Sequence, residues 1–380
     1  MTTYLIYDDA VHSPELRHEI AEPVGDPVIF VEHEGRTYLV SSIFDATMLA
    51  ARDDVIDEVW DYPSLGSIDL QKDASFPSEL IGPELVSRAL AKLGVHKVSV
   101  PGSFWVLVAD YLRDRGVEVV VEADEWARRR RRKTPWELEG IERAQRATET
   151  AMLTAARMLR EAEPTNDGQL RFEGEILTAE WIRESMSAEL LMQGAESEEI
   201  LVQSGDACLD GHDPGRGPIL PDQTCVIDCY PRDRRSGAFT DMTRTFVPGE
   251  PTEEVVRLHG HCRKALDIAY SAVRPGVEDA HAQVVAYFHD QGFPTLEHHE
   301  GSDPLRQGFC HSLGHGVGLE VHERPFVGRR SEALQPGDVI ALEPGLYFPG
   351  IGGVRLEDTV LVTDKGYEHF TDPFPYDLQP

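Results

Sequence analysis

At 380 residues, with 41% hydrophobic and 8% aromatic side chains, the chain has the composition of a globular protein and the length for two domains with a large core. Asp and Glu number 67 against 36 Lys and Arg, a formal net charge of −31. That balance argues against a nucleic-acid partner, which would be met by a basic face.

Lysine stands only at positions 72, 92, 97, 133, 264 and 365, so the positive charge is almost all arginine. An acidic, lysine-poor surface suits high salt, where carboxylate repulsion is screened, and a halophilic source is the expectation. Cys208, Cys225, Cys229, Cys262 and Cys310 are odd in number and form no CxxC pair, so they are read as packed thiols rather than disulfides. The first residues lack the basic start and apolar run of a secretory signal, and no eighteen apolar residues run together. A cytoplasmic protein with no membrane partner is expected.

In chain order, Pro27 to Val31 and Thr37 to Ser41 are β-prone runs around Gly35 and read as a hairpin. Helices are expected over Glu84 to Leu93 and Phe104 to Arg115, closed by Gly94 and Gly116 and followed by strands at His96 to Val100 and Val117 to Val121. This alternation predicts a partly parallel sheet in an α/β domain over residues 1–127. The basic run Arg128 to Arg132, followed by Lys133, reads as a solvated linker pairing with nearby acids.

A second domain, residues 128–380, opens at Thr134, Pro135 and Glu137, a helix cap with proline at the first helical position. Its helices are predicted from there to about Glu163, over Phe172 to Met192, Thr252 to Val273 and Val277 to Gln291. No internal repeat matches directly, but the order helix pair, strands, helix pair, strands hints at a duplication.

The β segments carry the chemistry. Within the turn-rich Asp233 to Gly237, a symmetric hairpin centred between Arg234 and Arg235 would set Asp228 opposite Asp241, their side chains about 5 Å apart. Two carboxylates so placed cannot both be buried and charged without a cation; the alternative is a pair of surface aspartates. His311, His315, His322 and Glu323 crowd the next segment, where Gly314, Gly316 and Gly318 argue for an extended backbone rather than a helix, and a His-rich surface loop is the other reading. Glu343 and Glu357 each interrupt an apolar strand, and Arg355 lies two residues before Glu357 on the same face, where the two could simply pair. Four carboxylates and an imidazole suit two hard or borderline divalent ions about 3.5–4 Å apart, sharing carboxylates and able to hold a bridging hydroxide beside a polarised carbonyl. Such a centre hydrolyses amides.

The order Asp228, Asp241, His315, Glu343, Glu357 in the contexts DMTRT, GHGVGLEVHE, LEPGLY and VRLED resembles the pita-bread metallopeptidases, which include Xaa-Pro dipeptidase (prolidase), aminopeptidase P and methionine aminopeptidase. The likeness covers about Lys133 to Pro375. It implies an α+β pita-bread catalytic domain after an α/β N-terminal domain of creatinase type, the latter matched more weakly and absent from ordinary methionine aminopeptidases. It further implies that Asp228 chelates one metal, that Asp241 and Glu357 bridge two, and that His315 and Glu343 hold the second, with Glu343 handling the water's proton. Manganese or cobalt would be the metals, with iron or zinc as alternatives. By the same resemblance His212 faces the substrate, His322 stabilises the tetrahedral intermediate, His311 lines the pocket near a substrate proline or carboxylate, and Arg355 supports Glu357 or the substrate carboxylate. The expected substrate is a short Xaa-Pro peptide and the expected assembly a homodimer. The alternatives are a non-prolyl or non-peptide amide hydrolase on the same fold and an inactive binding module, though metal-free relatives have lost ligands that this sequence keeps. Two features depart from the family: Tyr230 and Pro231 stand where a glycine usually follows the first metal aspartate, and the interval from Asp228 to Asp241 is about two residues longer than usual.

Overall fold

The computed structural model describes residues 2–52, 54–166 and 168–380, and the chain divides into two compact units, residues 1–130 and 131–380. The division falls three residues beyond the expected boundary.

The N-terminal unit is built on a six-stranded sheet in the order Glu58–Asp61, Arg36–Ser41, Val28–His33, Tyr4–Asp8, Lys97–Val100, Glu118–Val121. Its middle strands are antiparallel, while the pairs at both edges run parallel. Side-chain alternation assigns the strands to two cores: Leu5, Ile29 and Val31 pack into one, Ile6, Val28 and Phe30 into the other. Both faces are therefore covered, as crossover helices require. The hairpin turn uses left-handed Glu34 and Gly35, and Gly94 caps helix Ile81–Leu93 in the same conformation.

The arginine run corrects an expectation. Arg128 to Arg131 belong to helix Ala123–Arg131 rather than to a solvated linker, and, while Arg128 and Arg132 are exposed, Arg130, Arg131 and Lys133 are buried. Each finds a carboxylate, which offsets the cost of removing its charge from water: Arg130 meets Glu15 at 3.1 Å, Arg131 meets Asp338 at 2.6 Å, and Lys133 meets Glu323.

In the C-terminal unit, Thr134 and Glu137 form the expected capping box and start helix Pro135–Glu161. This helix and Ala179–Met192 pack over an antiparallel sheet of Ile200–Ser204, Cys225–Cys229 and Met242–Phe246. The second helix is shorter than predicted: Leu170–Phe172 and Glu175–Ile176 form a small hairpin turned by left-handed Glu173 and Gly174, and the helix begins only after Thr178 caps Trp181. A second layer repeats the plan. Helices Glu253–Ala272 and Ala280–Asp290 pack against a five-stranded sheet ordered Glu323–Val327, Gly314–Gly316, Val339–Leu342, Asp358–Val362, Tyr367–His369, and against the ribbon Gly345–Phe348 with Gly352–Arg355.

Strand periodicity in these sheets decides where the polar groups go. Cys225, Ile227 and Cys229 face the first helix pair, so Asp228 faces away. Ile340, Leu342, Val354 and Leu356 face the second pair, which turns Glu343, Arg355 and Glu357 to the opposite side. His315 lies across from Ala341 on that side as well.

Candidate metal centre

The nine residues singled out in the sequence, His212, Asp228, Asp241, His311, His315, His322, Glu343, Arg355 and Glu357, all line one cleft of about 490 Å³. The register differs from the symmetric hairpin. Asp228 stands across from Thr243, and Asp241 precedes Thr243 by two residues, diagonal to Asp228 on the same face. The same register carries on to the turn: the Pro231 carbonyl accepts the Thr240 amide at 3.1 Å, Arg232 bridges Phe239, and the Asp233 amide donates to the Ala238 carbonyl at 2.9 Å. Arg232–Asp233 also pairs with Ala195–Glu196 on its other edge, and Asp233 accepts the Ser236 amide at 2.7 Å, so the hairpin turns over Arg234 to Gly237, one residue further along than a turn that would set Asp228 opposite Asp241.

The floor of the cleft is crowded with carboxylates. Nε2 of His315 lies 3.6 Å from Asp241, 3.9 Å from Glu343 and 3.9 Å from Glu357. Asp241, His315 and Glu357 can bring one ligand atom each to within 4.8 Å of one another. Gly314 and Gly316 let neighbouring strands close on His315: a methyl group on Gly314 would stand 1.9 Å from the Ala341 carbonyl oxygen, and one on Gly316 2.4 Å from that of Arg324. Nδ1 of His315 donates to the Gly316 carbonyl at 3.1 Å, which leaves the Nε2 lone pair facing the carboxylates, the tautomer of a metal ligand.

Among the described residues only one guanidinium lines this cluster. Arg355 reaches Asp228 at 2.5 Å and Tyr347 at 3.3 Å, and stands 3.9 Å from Glu357. Its closest partner is therefore Asp228, not the Glu357 expected from adjacency. Burial, then the charges of Glu357, Asp228 and Glu343, push the Asp241 carboxyl well above the ordinary carboxylate range. Burial, Glu343 and Asp228 do the same to Glu357. Burial also raises Glu343, against the pull of His311 and Arg355, and lowers His311, His315 and His322. Oδ1 of Asp228 and Oδ1 of Asp241 are buried without a hydrogen-bond partner among the described residues. Unpartnered oxygens, an unused imidazole lone pair and a shortage of positive charge fit a donor set for divalent cations.

Thr243 binds the set together: its hydroxyl donates to Glu357 at 2.7 Å, and Arg355 Nε approaches it at 3.1 Å. His311 holds the Ser312 carbonyl through Nδ1 at 2.7 Å and meets the Tyr347 hydroxyl through Nε2 at 3.1 Å. The His322 ring packs edge-on against His315, centroids 4.2 Å apart, and His212 and His322 are exposed at the cleft surface. Sequence reasoning passed over Thr243 and Tyr347, and took Cys310 only as a packed thiol and Tyr230 only as a departure from the family. Thr243 and Tyr347 carried a signal, since they follow Asp241 by two residues and Glu343 by four and so share their strand faces. Tyr230, whose hydroxyl meets Glu199 at 3.1 Å, lines the cleft beside Asp228 in the place of the usual glycine. Cys310 also lines it, while the other four cysteines are buried; all five thiols are free.

The sequence profile of metallopeptidase family M24 matches residues 139–364. The chain belongs to this family. It is 38% identical to the Xaa-Pro dipeptidase of Pyrococcus furiosus over 135 residues, 35% of each chain, so the match spans about a third of that relative's length. The prolidase structure from Pyrococcus horikoshii superposes with a TM-score of 0.75 at 21% identity, covering 100% of this chain and 95% of that one. The X-Pro aminopeptidase from Thermotoga maritima gives 0.74 at 21%, covering 99% and 97%. At such identities the likeness speaks for the fold: an α/β N-terminal domain of creatinase type and an α+β pita-bread domain. No helix among the described residues is long and apolar enough to cross a membrane.

Proposed function

We propose that this family member is a dinuclear metal-dependent exopeptidase that hydrolyses Xaa-Pro bonds of short peptides. The observation that carries the reading is the cation-poor cluster of Asp228, Asp241, His315, Glu343 and Glu357, with two buried aspartate oxygens unpartnered among the described residues. Asp228 would hold one ion, His315 and Glu343 the other, and Asp241 and Glu357 both. Bound there, two divalent ions, manganese or cobalt by preference, would supply Lewis acidity and a water acidic enough to act as nucleophile at neutral pH.

The chain's own groups do the rest. Glu343 takes a proton from the attacking water and returns it to the leaving nitrogen as the carbonyl carbon gains an oxygen and the C–N bond breaks. His322 donates an N–H to the oxyanion that develops beside it. His212 and His311 bound the space for the substrate, and Arg355 fixes Asp228 and Thr243 so that the donor set stays in place. The names of the relatives, Xaa-Pro dipeptidase and X-Pro aminopeptidase, support proline-directed cleavage.

The test is hydrolysis of a Xaa-Pro dipeptide, a Xaa-Pro-Xaa tripeptide, a Met-Ala peptide and a non-prolyl dipeptide, in molar KCl with manganese or cobalt, with and without chelator. Chelator-sensitive cleavage of the dipeptide alone marks a prolidase, and cleavage of the tripeptide an aminopeptidase P. No cleavage of any peptide, with metal verified as bound, would sink the reading in favour of a non-peptide amide substrate or a binding role.

A further inference from the structure

Helix Ala280–Asp290 carries a buried imidazole outside the donor set. His281 is 4% exposed, and both ring nitrogens are engaged. Nδ1 lies 3.2 Å from the amide nitrogen of Leu313, and Nε2 lies 2.9 Å from Oε1 of Glu297. A backbone N–H can only donate, so Nδ1 is the acceptor and the ring proton sits on Nε2, given to Glu297. Glu297 is braced in turn by Nε of Arg329 at 2.9 Å, and Arg329 also donates to the Leu296 carbonyl at 2.7 Å.

Leu313 is the midpoint between His311 and His315. Its carbonyl accepts the amide N–H of Glu343 at 2.7 Å, so its backbone is gripped from both sides. The His281 ring also packs on Phe309, centroids 5.8 Å apart, and Phe309 packs on His311 at 5.1 Å. Two segments that carry three of the cleft's polar side chains thus meet at one residue, and the imidazole holds that residue from behind.

We propose that His281 is a positioning residue of the metal centre, which, through the Leu313 amide, sets His311, His315 and Glu343 in their places; its consequences for metal rest on the metallopeptidase reading above. Removing the acceptor leaves a buried N–H without a partner, and the segment must move to satisfy it.

Three variants separate the hydrogen bond from the ring's volume. His281→Asn keeps an acceptor near Nδ1, His281→Gln carries its amide out toward Nε2 and abandons Leu313, and His281→Phe fills the space with neither. Hydrogen exchange at the Leu313 amide and calorimetric titration of the metal-free protein with Co2+ are read beside kcat and KM on a Xaa-Pro tripeptide. The Gln and Phe variants should lose Leu313 protection, bind Co2+ about 10- to 100-fold more weakly and lose kcat with KM little changed, while Asn recovers most of each. Wild-type Leu313 protection and Co2+ affinity in the Phe variant, or an Asn variant as impaired as Phe, would overturn the proposal. If the Phe variant does not fold, equal behaviour of Asn and Gln overturns it and the expected split supports it. A wild-type protein that binds no Co2+ would refute the metallopeptidase reading instead, and Leu313 protection would still decide the role of His281.

Discussion

Glu357 and Asp358 are adjacent, 2% and 4% exposed, and point to opposite faces of the same segment. Asp358 has partners on both oxygens: Arg244 at 2.8 Å on one, and the hydroxyls of Tyr270 at 2.5 Å and Tyr376 on the other. Glu357 has the Thr243 hydroxyl and an arginine 3.9 Å away that is committed to Asp228, and it shares its space with Asp241 and Glu343. A buried carboxylate is tolerable only beside a compensating charge. One of these neighbours has that charge to itself, and the other shares a single arginine with Asp228. The difference is the one expected between a structural ion pair and the metal ligand proposed above, and it can be tested from either side.

The largest expected effect is on the structural side. Arg244→Ala strands Asp358 and frees the carbonyls of Thr243, Glu357, Phe374 and Pro375 that the guanidinium holds. Urea denaturation should record a loss of about 3–5 kcal/mol, with or without metal. A loss under about 1 kcal/mol would mean that Asp358 finds another partner. On the other side, Asp241→Ala should abolish most hydrolysis, beyond the roughly 10- to 100-fold cost of an outer partner, while metal-free stability is not lowered, since a carboxylate raised by its neighbours is removed. A metal-free protein markedly less stable than wild type would contradict that. Thr243→Val is milder: losing the hydroxyl that steadies Glu357 should weaken Co2+ binding about 10- to 100-fold by calorimetry. Unchanged affinity would assign Thr243 to packing alone.

How far the sequence carried this comparison depends on the range of each signal. Periodicity two placed Asp228, Glu343, Arg355 and Glu357 on faces opposite the apolar residues that pack on helices, and the cap at Thr134 marked a helix start, because these are local relations. Register was not so fixed. Asp228 and Asp241 are diagonal rather than opposite because the hairpin turns over Arg234 to Gly237, one residue further along than a turn that sets them face to face, and a turn-rich run does not by itself fix which residue is its centre. Arg131 read as solvated because its partner Asp338 lies 207 residues away. His281 gave no signal at all: a lone histidine on an apolar helix face looks like a core residue until Leu313 is seen beside it.

Asp233 offers the smallest effect and the cleanest sign. It ends the hairpin's ladder with a cation of its own, Arg143, at 3.0 and 2.9 Å. Burial works to raise its carboxyl, but the Arg143 guanidinium, with the Ser236 amide and hydroxyl, outweighs burial and holds Asp233 below the ordinary carboxylate value. The folded pKa is therefore the lower one. Its contribution to stability is present above the unfolded value of about 3.9 and is lost as pH falls through the folded value. Because Arg143 is about a third exposed, at 32%, solvent screens the pair and the change is modest. Urea midpoints at successive pH values below 5 should fall more steeply for wild type than for Asp233→Asn, which has no proton to take up there. Parallel curves would show that Asp233 titrates alike in the folded and unfolded chain, and that a cation nearby is not enough to make a buried carboxylate structural.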